Sequence, residues 1–436
     1  MESQRSQVTR QVLDNGLVVL LKEAHSAPVI SWWVLYRVGS RNERTGQTGI
    51  SHWVEHMMFK GTEKFPGGFL DQAIDREGGV WNAQTSFDYT AYYETMPAAQ
   101  IDLALQAEAD RMTNALFDRA EVESERTVII SERQGSENSP TFWLFEETRA
   151  AAFRVHPYHH QIIGDMADLH TITRDDLYSH YRTYYSPNNA IVVAVGDFDT
   201  AQMLERIESL FGDVPPGSPP PSVTRAEPPQ QGERFVRVER PGNASHIYLG
   251  YRSPEAVHPD WFKLALVDSV LAGASAPGGN GIGNRTSRLY KALVESELAT
   301  GVGGGMNPSI DPHLFSITAT VRDGRTLEEV QAALDAEIDR VAGGDITQVE
   351  LDKAKKQAKA LFAYGTESVT GQAFWLAFSE NFSSYSWYEH YLQHLDAVTL
   401  EEVQDAAQRY LRRSQRTVGW FVPAPDEQGG VDGSKQ

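Results

Sequence analysis

Seven prolines crowd the stretch Asp213–Gly232: Pro215, Pro216, Pro219, Pro220, Pro221, Pro228 and Pro229. Proline lacks a backbone donor and holds φ near one value, so neither a helix nor a sheet interior runs through such a segment. It falls near the middle of 436 residues. A chain of that length exceeds one ordinary hydrophobic core, so two domains of roughly 200 residues are expected. The reading is a domain over 1–213, a proline-rich linker over 214–233 and a second domain over 234–425. The polar, glycine-bearing stretch 426–436 reads as a disordered tail.

The two sides of the linker look alike. Thr173-Arg-Asp-Asp-Leu177, Tyr184 and the apolar run Ala190–Val195 precede it. Thr399-Leu-Glu-Glu-Val403, Tyr410 and the run Thr417–Val422 stand near the C-terminus. In each, a threonine followed by acidic residues predicts a capped helix leading into a strand. The openings match too. Gln11–Leu21 and Arg234–Glu239 read as strands, followed by strands at Val29–Val38 and His246–Tyr251, then by helices at Gly49–Phe59 and Trp261–Leu271. An internal duplication follows. Strands at hairpin spacing mixed with long helices predict an α+β fold, with a largely antiparallel sheet packed by helices in each half.

Charge and cysteine content remove several classes of function. The formal net charge is −20, which repels nucleic acid and anionic membrane surfaces. The chain has no cysteine, which excludes disulfides, thiolate metal sites and a cysteine nucleophile. Met1–Gln7 is polar and does not read as a secretory signal. The most apolar run, Ala190–Val195, is far too short to span a bilayer. A soluble, cytoplasmic protein is expected.

The chemistry concentrates at His52-Trp53-Val54-Glu55-His56. On a helix, histidines four apart share one face one turn apart and can bind one zinc ion. Glu55 can reach a water on that metal without being a ligand, as a general base must. This H-x-x-E-H order is the inverzincin pattern. A hydrolytic zinc site needs a third protein ligand and an open position. Glu125 and Glu132, two helical turns apart in an acidic helical segment from about Arg119, can each complete it. His159, His160, His390 and His394 lack such a carboxylate pattern and read as surface histidines. Gly273–Gly283 is glycine-rich but has no nucleotide-loop spacing; it reads as a flexible connection or a mobile substrate-contacting loop.

These residues resemble the pitrilysin, insulinase and mitochondrial processing peptidase family. Its signature is H-x-x-E-H followed by a distant glutamate ligand, and here 75 residues separate His56 from Glu132. Gly49–Thr62 is similar to the family's motif helix and its exit. Glu125-Arg126-x-Val128-x-x-x-Glu132 is similar to its ligand helix, and Asn82-Ala83-x-Thr85-Ser86-x-Asp88-x-Thr90-x-Tyr92 to its substrate strand. His156-Pro157-Tyr158, Gly164, Tyr185-x-Pro187-x-Asn189-Ala190 and Ser287-Arg288-Leu289-Tyr290 match later landmarks. The resemblance implies a metallopeptidase of two homologous domains. His52, His56 and Glu132 would bind one Zn2+ per chain. Glu55 would be the general base, and Glu125 a carboxylate holding a ligand histidine. Asn82 with the backbone of Ala83, Gln84, Thr85 and Ser86 would bind peptide substrates by strand pairing.

The second half departs from the family. It has no H-x-x-E-H, so it is expected to be an inactive duplicate. Val294 stands where relatives carry a substrate-contacting arginine, and no tyrosine follows seven residues later. The chain therefore resembles the zinc-bearing member of a bacterial two-chain peptidase, whose homologous partner supplies arginine and tyrosine. A heterodimer is expected, with a homodimer as the alternative. A reading from a different class is a non-catalytic assembly subunit with a vestigial zinc site.

Overall fold

A computed structural model describes residues 7–274 and 285–424. Most of the glycine-rich stretch Gly273–Gly283 and the tail 426–436 lie outside the described residues.

Among the described residues, eleven strands form two sheets. The first contains β1 (Thr9–Val12), β2 (Val18–Glu23), β3 (Val29–Tyr36), β4 (Val80–Thr85), β5 (Thr90–Pro97) and β6 (Ala190–Gly196), in the order β1-β2-β6-β3-β5-β4. The second contains β7 (Arg234–Pro241), β8 (His246–Ser253), β9 (Ala299–Gly305), β10 (His313–Val321) and β11 (Arg416–Ala424), in the order β7-β11-β8-β10-β9. Apart from β1, the two orders correspond strand for strand. Each sheet has one parallel pair, β2 with β6 and β7 with β11, and is otherwise antiparallel. The α+β duplication expected from the sequence is present in this correspondence.

The helices used below are α1 (Ile50–Met57), α2 (Arg119–Glu137), α3 (Pro140–Ala152), α4 (Arg174–Tyr184), α5 (Asp260–Leu271), α6 (Gln348–Gly365), α7 (Val369–Phe382) and α8 (Leu400–Tyr410). Capping boxes open α4 and α8: Thr173 pairs with Asp176, and Thr399 with Glu402. Each cap satisfies donors left open at a helix start. The chain then enters β6 or β11, which hold equivalent places in the two sheets. All of β6 is buried, consistent with its unbroken apolar run, since a strand covered on both faces has no polar side to alternate.

Two expected strands are hairpins. Gln11–Leu21 is broken by a turn in which Leu13 N–H donates to Leu17 O at 2.9 Å and Gly16 takes φ +87°. Asn15-Gly16 is a strong turn signal, because Gly tolerates positive φ. Likewise Asn82–Tyr92 comprises the end of β4, a turn at Ser86–Tyr89 and the start of β5.

Two compact units contain these sheets, and they are not the two halves of the chain. One comprises residues 1–133, 156–225 and 363–391; the other 134–155, 226–362 and 392–436. Thus α7, from late in the chain, covers β3 and β6 of the first sheet, while α3, from early in the chain, covers β7, β8 and β11 of the second. In the first unit Trp33 stacks on Tyr93 at 4.3 Å and meets Phe374 of α7 at 5.6 Å. The proline-rich stretch has neither helix nor strand over 215–231, yet it is tied down. Asn188 exchanges two hydrogen bonds with Gly217, Glu227 accepts from the Arg154 and Val155 N–H groups, and Gln230 donates to Arg416 O at 2.6 Å. Among the described residues, no helix is long and apolar enough to cross a membrane.

Candidate metal centre

Ile50, Trp53, Val54 and Met57 are buried in the core of the first unit. Their spacing is that of one helical face, so packing turns His52 and His56 to the other side of α1. The helix starts at Gly49, which takes φ +87° and has no side chain to cap it. A Cβ there would lie 2.5 Å from Ile163 O. Buried Glu43 caps instead: its carboxylate accepts from Gly49 N–H at 2.8 Å and Ser51 N–H at 2.9 Å. A carboxylate at this helix end also opposes the positive end of the backbone dipole. His160 Nε2 contacts Glu43 Oε2 at 2.9 Å and is buried. This corrects the expectation of a surface histidine: the imidazole is interior because a buried carboxylate needs a donor. Of the other three, His159 is half-buried, while His390 and His394 are exposed.

On α2, Val122 and Ile129 are buried seven residues apart, and Glu125 is buried beside them. Glu132 lies two turns from Glu125 with its side chain 47% exposed. Arg126 lies over the Trp53 ring at 4.7 Å and donates to the carbonyls of Leu169 and Ile172, which holds α2 against α1.

His52 and His56 turn their Nε2 atoms to each other at 3.3 Å. Glu132 Oε2 lies 3.7 Å from the His56 nitrogen and 3.9 Å from that of His52. The point nearest to all three corners so spaced lies about 2.1 Å from each, within the zinc–nitrogen and zinc–oxygen range of about 2.0–2.2 Å. The donor set of two imidazoles and one carboxylate, with Glu132 at the solvent side, fits a zinc ion with an open position. Burial, helped by neighbouring His56, pushes the His52 pKa down to about 4. The imidazole is thus neutral, the form that ligates metal.

Glu125 stands behind this cluster. His56 Nδ1 donates to Glu125 Oε1 at 2.8 Å, and Lys60 Nζ pairs with Oε2. A proton held at Nδ1 leaves the Nε2 lone pair facing the cluster centre. Burial alone would raise the Glu125 carboxyl, but the Lys60 and His56 hydrogen bonds outweigh it and hold the group below its ordinary value. The two glutamates that sequence spacing left as alternatives therefore stand differently. Lys60 went unnoticed in the sequence. Its only signal is its position four residues after His56, and its partner is set by the packing of α2.

Glu55 is 8% exposed. Burial raises its pKa, against the lowering effect of a hydrogen bond from the Thr85 hydroxyl. Thr85 ends β4, which lies at the edge of the first sheet. In the hairpin, Ser86 N–H donates to Tyr89 O at 2.8 Å, and Thr85 lies opposite Thr90. Antiparallel pairs alternate between bonded and non-bonded, so Ala83 and Thr85 turn their N–H and C=O groups away from β5, where the Thr85 N–H acts on the Glu55 carboxylate. Ala83 N–H is taken by Asn82 Oδ1 at 2.9 Å. Gln84 turns its backbone inward to β5. Ser86 has both groups engaged, its carbonyl accepting from Ser40 N–H at 3.1 Å. The outward main-chain groups in Ala83–Ser86 are thus those of two residues, because a strand offers only every second residue to a new neighbour.

In the second unit, Val294 lies in the helical turn Tyr290–Glu295 and Gly301 in β9. Arg288 grips Glu350 of α6 with two nitrogens at 2.7 and 2.8 Å.

Comparison with known proteins agrees with this architecture. Residues 18–166 match the insulinase family (peptidase family M16), and residues 171–358 match the peptidase M16 inactive domain. The zinc protease PqqE of Helicobacter pylori is 34% identical over 364 residues, covering 82% of this chain and 79% of that protein. The crystal structure of a protease from Helicobacter pylori superposes with a TM-score of 0.90 at 30% identity, covering 96% of this chain and 100% of that one. The periplasmic protease PqqL from Escherichia coli shares the fold at a TM-score of 0.78 and 21% identity, covering 97% of this chain and 48% of that longer one.

Proposed function

The chain belongs to the insulinase (M16) family of peptidases, and on that footing we propose that it is a zinc metallopeptidase that hydrolyses peptides or small unfolded polypeptides. The observation that carries this reading is the convergence of His52, His56 and Glu132 on one point, with Glu55 alongside and Glu125 behind. His52, His56 and Glu132 would hold the metal. Zinc, when bound, supplies a Lewis acid that acidifies water and polarises a carbonyl. Glu55 takes the proton of the attacking water and returns it to the leaving nitrogen. Its burial raises its pKa, which improves the match for a group that must both accept and release a proton near neutrality. An extended peptide pairs with the outward backbone of Ala83 and the carbonyl of Thr85, displacing the Asn82 side chain from the Ala83 N–H. Main-chain pairing confers affinity with little dependence on side-chain identity.

The proposal extends to a second chain. Val294 and Gly301 provide neither the arginine nor the tyrosine expected near the metal, and the same fold forms about half of the longer Escherichia coli protein. A homologous partner supplying both residues completes the site in a heterodimer; a second copy of this chain would not supply them.

The test combines metal analysis with peptide turnover for the wild type and Glu55→Gln, alone and with the product of a neighbouring homologous gene. The variant should keep its zinc and lose about 10²–10⁴-fold in turnover. A wild-type protein with stoichiometric zinc that cleaves no peptide in either setting overturns the reading and leaves a non-catalytic subunit.

A further inference from the structure

Glu55 is a buried carboxylate at the foot of α1, and its hydrogen-bonding side chain comes from a different element. Thr85 Oγ1 donates to Glu55 Oε2 at 2.5 Å. The Thr85 N–H acts on the same carboxylate. Behind Thr85 lies buried Thr90, with its hydroxyl at 3.5 Å; Thr90 donates its own proton to Val38 O at 2.9 Å. With that proton committed, Thr90 can only accept from Thr85, and its neutral oxygen at 3.5 Å competes weakly with the carboxylate at 2.5 Å for the Thr85 proton. A hydrogen bond to a charged acceptor is roughly twice as strong as a neutral one, so this contact constrains the rotamer of Glu55.

The same residue also belongs, through its carbonyl, to the open edge of the sheet. Thr85 is one of the two residues of Ala83–Ser86 whose backbone groups turn away from β5, its N–H toward Glu55 and its carbonyl to the open edge. It joins the strand on which an extended peptide would lie to the group that would move the proton. Alternation along β4 places Ala83 and Trp81 on the Thr85 side, against the core, and Asn82 and Gln84 on the other. The threonine is therefore the position where the hydroxyl reaches Glu55.

We infer that Thr85 is a positioning residue: its hydroxyl holds the Glu55 carboxylate in register with β4, so that peptide binding and base placement share one anchor. This inference rests on the peptidase reading. It differs from a role in substrate affinity, which would come from the Thr85 main chain and survive loss of the hydroxyl. Reactions that depend on alignment lose large factors for small misplacements. Removing the hydroxyl should therefore lower kcat and leave KM nearly unchanged.

Thr85→Val removes the hydroxyl while keeping shape and strand preference, and Thr85→Ser restores it. The expected result for Thr85→Val is wild-type zinc content, an unchanged Tm, KM within about twofold and kcat reduced about 10–100-fold, with Thr85→Ser recovering most of the loss. A crystal structure of Thr85→Val should show the Glu55 carboxylate in a different rotamer. Unchanged kcat, a rise in KM alone, or a loss that Thr85→Ser does not repair overturns the inference. So does a Glu55 side chain that stays in place in the valine variant. If wild-type protein with bound zinc cleaves no peptide, the peptidase reading fails; the position of Glu55 in the variant still decides whether Thr85 holds it.

Discussion

Glu125 accepts a hydrogen bond from one nitrogen of His56 and so directs the other toward the cluster, which makes its value measurable as metal affinity. Replacing it with glutamine leaves an amide that can still accept from Nδ1 but cannot pair with Lys60. Zinc binding by Glu125→Gln should weaken about 10–100-fold in chelator competition. Lys60→Met removes the partner of Glu125 Oε2 without touching a metal-facing atom. It should weaken zinc binding about tenfold by the same outer-shell logic, with Lys60→Arg recovering part of it. Equal zinc affinity in wild type and Lys60→Met would show that the lysine has no influence on the centre. The histidines and Glu55 were legible in the sequence because their relation is local, set by the pitch of one helix. Lys60, Glu43 and the Thr85 side chain were not, because each acts on a residue brought to it by packing. Glu43 lies six residues before Gly49 in a loop, and nothing in its neighbours marks it as the cap of α1.

Elements are stabilised by such contacts, and two can be tested. Glu43→Gln keeps the size of the cap but replaces one acceptor oxygen with a donor, facing the Gly49 and Ser51 N–H groups and His160. Loss of a cap together with an unpaired buried polar group should cost about 2 kcal/mol or more, read as a lower urea midpoint with an unchanged m-value. In the second unit, Arg288 holds Glu350 of α6 by hydrogen bonds that bring its carboxyl down to about 2, from 4.5 in the unfolded chain. A depressed folded-state pKa stabilises the fold above the unfolded value and ceases to do so as the group protonates. The contribution is complete above about pH 4.5 and disappears as pH falls toward 2. Glu350 is partly exposed, so solvent screening keeps the pair near about 1 kcal/mol. Arg288→Ala should lower stability by that amount at neutral pH, and the difference from wild type should vanish in acid. A constant difference across that window would assign the cost to lost packing instead.

The whole molecule departs from a simple tandem. Each unit includes a helix from the other side of the proline-rich stretch: α7 in the first and α3 in the second. Cutting the chain after Arg225 therefore removes the cover of the first sheet and exposes Trp33, Tyr89 and Tyr93, which contact Phe374 and Phe378 or lie beside them. Fragment 1–225 should aggregate or bind a hydrophobic dye and lack a cooperative thermal transition, because an uncovered apolar face of that size is not stable in water. Adding residues 363–391 through a linker should restore cooperative unfolding. A fragment 1–225 that melts cooperatively at the wild-type Tm would show that α7 is dispensable.

What the sequence determined by itself is local. The four-residue spacing of His52 and His56, the threonine caps before α4 and α8, the apolar runs of β6 and β11 and the prolines of 214–233 each express a period or a backbone constraint readable without neighbours. The tertiary structure decided everything that depends on distant residues meeting. It placed Glu132 at the cluster and Glu125 behind it, although helical spacing treats them alike. It turned Ala83 and Thr85 outward through the register of one hairpin, buried His160 against Glu43, and assigned α3 and α7 to units on the far side of the linker. Periodicity is a property of a few consecutive residues, whereas orientation toward a partner is set only when the sheets and helices that carry both residues have packed.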